Sequence, residues 1–234
     1  MRRDNGRQHN GGRRPDAIRL AVFDLDGTLT LSGTSVLIHL GRAFGFADTA
    51  EHLSVRHAHG TLTNAQVSQT AAEFLRDRSR HELQRALHSL PMVDGIAETV
   101  DMLIGRQVRC ALATITFDFA AKYVAQRYGF QDVMATTLEW SLDARATGHV
   151  QAAKEPSDKR RFIRRQCARL GIHKSEVLVV GDTYTDIPAM KVAGFSIGFN
   201  PTPDVEQVAS ISIHDTRDLR HVMPHIRHLL SDPA

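Results

Sequence analysis

Four short stretches of this 234-residue chain hold side chains that could do chemistry together. Asp24 and Asp26 stand two residues apart in Asp24-Leu25-Asp26-Gly27-Thr28, Thr114 and Ile115 follow the apolar run 108–113, and Lys159 precedes the run 176–180. That last run is followed by Asp182 and Asp186, within Gly181-Asp182-Thr183-Tyr184-Thr185-Asp186. A two-residue spacing sends both carboxylates of the first pair toward one side of a strand end, and Gly27 permits a sharp exit behind them. Carboxylates gathered this closely repel, and ionising them all requires a hard cation. With oxygen ligands alone the cation to expect is magnesium. A carboxylate can also attack phosphorus to give an aspartyl phosphate, whose phosphoryl oxygens need neutral and cationic donors of the kinds Thr114 and Lys159 supply. Taken singly, each aspartate is an ordinary turn or helix cap, and Lys159 in Lys159-Arg160-Arg161 is an ordinary solvated helix face. The order of all these groups around successive strand ends is what points to a site.

The elements that must position them follow from hydrophobic patterning. Apolar runs at 18–23, 108–113, 176–180 and 196–199 read as buried strands, and amphipathic segments near 94–106, 117–128, 157–170 and 185–193 read as helices. Fully apolar strands alternating with helices predict an α/β fold, a doubly wound parallel sheet covered on both faces. In such sheets ligands collect outside the carboxyl ends of the strands, where all four stretches fall. About 84 residues separate the first two runs, far more than one crossover requires. Within them the segments 34–45, 48–58, 63–76 and 79–89 carry helical spacing, with Thr63 and Ser79 as N-caps, so an inserted helical bundle is expected. Pro91 and Gly95 mark the return. The expected organisation is a tail at 1–17, a catalytic core at 18–33 and 91–234, and a helical cap at 34–90. The stretch 137–150 suits a hairpin, read as a flap.

Composition narrows the function classes. The net charge of +3 resides in residues 1–17, where five arginines face two aspartates, while the remaining 24 basic and 24 acidic residues cancel. A basic nucleic-acid-binding face on the body is therefore not expected, and the tail, without aliphatic residues between Met1 and Ala17, is expected to be disordered. No apolar stretch is long enough to span a membrane and no secretory signal core is present, which predicts a cytoplasmic protein. Cys110 and Cys167 have no partner spacing and are expected to be reduced, and the thirteen histidines form no zinc pattern.

Phe23–Thr30, FDLDGTLT, resembles the first motif of the haloacid dehalogenase (HAD) superfamily. The second motif is matched by ALATITF at 111–117, the third by Lys159, and the fourth by VVGDTYTDIPAM at 179–190, so the likeness runs from about 18 to 231. Lys154 is the second candidate for the third motif. The helical insert between the first two motifs and the TGHV at 147–150 resemble the phosphoserine phosphatase-like branch. The resemblance implies a Rossmann-like core and a phosphatase. Asp24 would be the nucleophile and Asp26 the acid and base, with phosphate held by Thr114, Ile115 and Lys159. Magnesium would lie at Asp24, Asp26, Asp182 and Asp186. Asp26 also argues against dehalogenation, because halide-removing members lack the second aspartate.

Phosphoserine phosphatases would have a glutamate at the position of Gly33 and an arginine near Ala71. Here no acidic residue occurs between Gly27 and Ala47, and 58–75 holds no Lys or Arg. Thr114-Ile115-Thr116 stands where a serine and two glycines are usual, and Thr185 where an asparagine is common. A zwitterionic substrate would bring unpaired charges into the closed site. The expectation is therefore a small soluble phosphomonoester other than phosphoserine: a sugar, cyclitol, polyol or nucleoside phosphate met by Ser32, Thr34, Ser35, His57, His59, Thr61, Thr63, Asn64 and Gln66. Phosphoserine phosphatase, a phosphomutase and a catalytically silent scaffold are the alternatives, and oligomeric state is not legible.

Overall fold

In the computed structural model, which describes residues 17–230, the strand β1 (Leu20–Phe23) sends alternate residues into two different cores. Leu20 and Val22 pack with Phe162, Ile163 and Val179, whereas Ala21 and Phe23 pack with Val100, Leu103 and Val124. A strand buried on both sides gains from apolar residues at every position, so 18–23 is a continuous apolar run rather than an alternation. Except for Ala17, the tail expected over 1–17 lies outside the described residues.

Four helices follow β1: α1 (Val36–Phe44), α2 (Ala47–Ala58), α3 (Asn64–Phe74) and α4 (Arg80–Leu87). Thr63 and Ser79 are the expected N-caps, each in a reciprocal capping box with Gln66 or Glu82. The rest of the chain runs α5 (Ile96–Gly105), β2 (Arg109–Phe117), α6 (Asp118–Tyr128), β3 (Asp132–Trp140), β4 (Ala146–Ala152), α7 (Pro156–Leu170), β5 (Val177–Gly181), α8 (Ile187–Met190), β6 (Phe195–Phe199) and β7 (Ile211–Ile213). Among the described residues seven strands form one sheet in the order β4-β3-β2-β1-β5-β6-β7, parallel except for β4. The doubly wound expectation holds, and α5 and α6 cover one face while α7 and α8 cover the other.

The chain leaves β1 toward β2 on one side and β5 on the other. The strand order therefore reverses at β1, which opens a crevice at the carboxyl ends of β1, β2 and β5. Two strands differ from their sequence reading. β2 extends through Phe117, with a register shift between Ala113 and Phe117, so Thr114–Thr116 form a distorted strand end. The hairpin expected at 137–150 exists as β3 and β4, but it is not a free flap. The first half of β3 pairs in parallel with β2, and Ala146 O accepts the Asp77 N–H at 2.9 Å, which ties the hairpin to the turn after α3. Cys110 and Cys167 are free thiols, and no helix among the described residues is long and apolar enough to cross a membrane.

Candidate active site

The strand ends bring the sequence-selected residues to one place. Asp24 directly follows β1, and its N–H donates to Val180 O on β5 at 3.0 Å. Gly27 has φ +81°, and a Cβ there would collide with the Asp182 carboxylate, so both backbone freedom and space require glycine. Thr28 donates its hydroxyl to Asp182 Oδ1 at 2.9 Å. Lys159 lies in the first turn of α7, is 1% exposed, and places Nζ 2.7 Å from Asp24 Oδ1 and 2.6 Å from Asp186 Oδ1. The Asp186 Oδ2 accepts the N–H groups of Asp182 at 3.1 Å and Thr183 at 3.3 Å. Asp186 thus holds both Lys159 and the turn after β5. Lys154 does not reach the site: it precedes α7, and its backbone bonds Thr136 and Asn64.

Burial and the Asp186 carboxylate push the Asp24 carboxyl up to about 7, against the pull of Lys159. Burial likewise raises Asp26 to about 6, opposed by the Val36 N–H, which donates to Asp26 Oδ1 at 2.7 Å, and by Lys159. Asp182 is raised well above its ordinary value by burial, Asp186 and Asp24. Burial alone would lower Lys159, but Asp186 and Asp24 outweigh it and hold the ammonium above its ordinary value.

The donor chemistry fits a hard divalent cation. Carboxylate oxygens of Asp24, Asp182 and Asp186 lie within 4.8 Å of one another, all buried, and the Lys159 ammonium, paired with Asp24 and Asp186, offsets only part of their charge. An all-oxygen set that is electrostatically strained by its own charge is relieved by such an ion.

A cavity of about 340 Å³ opens over these residues. Asp24, Asp26, Thr114, Ile115 and Asp182 line its inner end, while Lys159 lies beneath Asp24, shielded from it. Gly33 and Ala71 are both on its wall. Of the nine polar residues expected to meet a leaving group, Thr34, Ser35, His57 and Asn64 line it, whereas Ser32, His59, Thr61, Thr63 and Gln66 do not. Thr61 donates to Arg56 O at the end of α2 at 2.9 Å, and Thr63 and Gln66, the latter in the first turn of α3, form the capping box of that helix.

Several contacts at the site were not legible in the sequence. Thr28 lies inside the first motif, but only the fold shows its bond to Asp182. Asn64, at the start of α3, donates Nδ2 to Ile115 O and Lys154 O at 2.8 Å each, and Glu155 accepts the N–H groups of Asn64 and Ala65. A carboxylate at a helix N-terminus is favoured by the helix dipole as well as by these bonds. Tyr184, in the turn after β5, places its hydroxyl 2.9 Å from His57 Nδ1 and donates to His57 O at 3.1 Å. A long-range tyrosine–histidine pair leaves no mark at short sequence spacing.

The sequence profile of the haloacid dehalogenase-like hydrolases matches residues 21–191. The chain belongs to that family. Within it this hydrolase falls in the phosphoserine phosphatase-like branch. It is 26% identical to the phosphoserine phosphatase of Methanocaldococcus jannaschii over 210 residues, 89% of this chain and 98% of that one. The phosphoserine phosphatase of Halobacterium salinarum is 26% identical over 189 residues, 80% and 88% of the two chains. The fold superposes on a phospho-aspartyl intermediate analogue of phosphoserine phosphatase with a TM-score of 0.79 at 24% identity, covering 90% of this chain and all of that one. A HAD family hydrolase from Salmonella enterica gives 0.83 at 16% identity, covering 95% and 75%.

Proposed function

We propose that this hydrolase cleaves a small soluble phosphomonoester in the cytoplasm through an aspartyl phosphate on Asp24, with magnesium as cofactor. The observation that carries the reading is the Asp24 carboxylate: buried at the strand-order reversal, it lines the cavity and is held by Lys159 Nζ at 2.7 Å. An Asp24 oxygen attacks phosphorus as the P–O bond to the leaving group breaks, and Asp26 gives its proton to the departing oxygen. Asp26 then takes a proton from water as that water attacks the aspartyl phosphate, which frees phosphate and restores both carboxyls. A carboxyl raised to about 6 is suited to both transfers near neutral pH. Thr114 would bond the phosphate, with Ile115 packed beside it, and Lys159 would offset charge on Asp24. Asp24, the Asp26 carbonyl and Asp182 would hold magnesium, with Asp186 acting directly or through water. When bound, the ion supplies Lewis-acid charge stabilisation at the phosphoryl oxygens. Residues 34–90 would act as a cap that excludes water and meets the leaving group.

The names of the relatives support phosphoserine as the substrate, and it belongs first on any panel. A second reading, a phosphomonoester without charge on its leaving group, is favoured by one observation: among the described residues no Lys or Arg lines the cavity, and Gly33 and Ala71 bring no charge to its wall. The test is phosphate release with magnesium and with chelator across phosphoserine, sugar, cyclitol and nucleoside phosphates, with Asp24→Asn as blank. Magnesium-dependent release that the blank lacks supports the chemistry, the ranking decides the substrate, and phosphoryl transfer to a second ester without release would favour a mutase. No turnover of any kind would leave a silent scaffold.

A further inference from the structure

Away from the carboxylates much of the cavity wall is apolar. Leu37 and Ile38 of α1, Val67 and Ala71 of α3, and Phe117 of β2 form it, and Ile115 continues it to the inner end. Several of the polar side chains among them already bond the protein itself. Ser35 accepts the Ile38 N–H as the cap of α1, and Ser54 donates to Ala50 O at 2.8 Å. Asn64 holds Ile115 O and Lys154 O, Tyr184 and His57 bond each other, and Thr183 bonds Thr185 at 3.2 Å. Thr114 accepts the Thr116 N–H at 3.2 Å, and among the described residues the lining hydroxyls without such a bond are those of Thr34, Ser68 and Thr116.

Each hydroxyl of a polyol or sugar carries one donor and two acceptor sites into the cavity, and each left unmatched opposes binding. A carboxylate or ammonium left without a partner opposes it more strongly. The carboxylates on the lining, Asp24, Asp26 and Asp182, are all at the phosphate end. The volume is near the lower end of small-molecule sites, which span roughly 300–1,000 Å³, so the ester is small. We propose that the leaving group is an uncharged alcohol with a short apolar body, so that this site prefers alkyl or aralkyl phosphates to polyol, sugar or amino-acid phosphates. Leu37 and Val67 are its specificity-determining contacts. The inference rests on the phosphatase reading of Asp24 and narrows that reading's substrate.

The test compares kcat/KM for n-butyl phosphate, benzyl phosphate, glycerol 1-phosphate and phosphoserine with magnesium present. All are esters of primary alcohols, so differences report recognition more than leaving-group reactivity. The expected result is n-butyl phosphate at least about tenfold above glycerol 1-phosphate and further above phosphoserine, since each methylene in an apolar pocket is worth roughly tenfold or more. Leu37→Gln, at a half-buried position, should cut the butyl-to-glycerol ratio at least about fivefold with an unchanged melting temperature. Phosphoserine or glycerol 1-phosphate turning over fastest, or an unchanged ratio in Leu37→Gln, would overturn the inference and leave the phosphatase standing. Calorimetric binding of n-butyl phosphate and glycerol 1-phosphate to Asp24→Asn separates the two readings. Butyl preference in binding without wild-type turnover would keep the apolar site and refute the phosphatase, whereas no butyl preference in binding refutes the apolar site.

Discussion

Replacing Lys159 with methionine keeps much of the side-chain volume and removes one charge from the most buried ionic cluster of the molecule. Nζ is 2.7 Å from Asp24 and 2.6 Å from Asp186, and the side chain is 1% exposed, so solvent screens neither pair. Losing one partner of a buried ion pair costs about 3–5 kcal/mol, because the other charge stays behind in low dielectric. For a chain of this size that is a fall in melting temperature of roughly 6–20 °C. Asp24 already sits at about 7 in the folded state, against an ordinary value of 3.8. Without the ammonium it rises further, so the folded variant binds more protons than the unfolded chain, and stability is lost as pH rises through the raised value. The loss should therefore be full at pH 8.5 in chelator, shrink toward pH 5, and be partly reversed by magnesium. Urea unfolding at both pH values is the assay. A variant within about 1 kcal/mol of wild type at pH 8.5, or one equally destabilised at pH 5, would refute the electrostatic account of the site.

Asp24→Asn removes a mutually repelling charge and should raise the melting temperature in chelator while abolishing turnover, as read by calorimetry and phosphate release. Gly27→Ala should destabilise by about 1–3 kcal/mol or more, since the left-handed backbone and the Asp182 carboxylate both reject a Cβ; chemical denaturation gives the figure. Asn64→Ala strands the carbonyls of Ile115 and Lys154 and should cost about 1–3 kcal/mol, with faster amide exchange at the start of α3. Burial holds His57 below 6.5 although Glu155 pulls it up, so the folded state binds fewer protons, and this contribution is present above 6.5 and lost as pH falls through it. His57→Gln should flatten that acid-side slope, and NMR titration of the imidazole checks the sign.

The sheet was legible wherever a strand is buried on both faces, because uniform apolarity then leaves one reading, as at 18–23 and 176–180. Asp132–Thr136 was not legible as a parallel strand: it has polar and intermediate positions, and its partner β2 is distant in sequence. The helices of the insert were legible to within a few residues because Thr63 and Ser79 announce their starts. The carboxylates and Lys159 could be picked out since strand-end order is a one-dimensional property. The choice of Lys159 over Lys154 becomes physical only with α7, whose first turn faces Lys159 inward. Surface capping and cavity lining could not be told apart by residue type, so Thr63 and Gln66 were grouped with Asn64 although they serve the helix alone. The Tyr184–His57 pair joins groups 127 residues apart, which no local pattern encodes.

The two points where the inserted helices leave and rejoin the sheet are side by side. Leu31 N–H donates to Pro91 O at 3.0 Å, and Val93 N–H donates to Leu29 O at 2.9 Å, so outgoing and returning chains form one short antiparallel pair. With its ends fixed by the core, a segment between them adds only a slowly growing closure entropy as it lengthens. The junction is thus a splice point: whatever is carried between residues 31 and 91 can be lengthened, repacked or exchanged with little consequence for the strand ends that hold the carboxylates. The exceptions are the bonds that cross from insert to core: the Asp26 carboxylate to the first turn of α1, Asn64 to Ile115 O, and His57 to Tyr184. Replacing the insert would re-aim the proton donor, and any recombinant must restore the Asp26 bond to keep its chemistry.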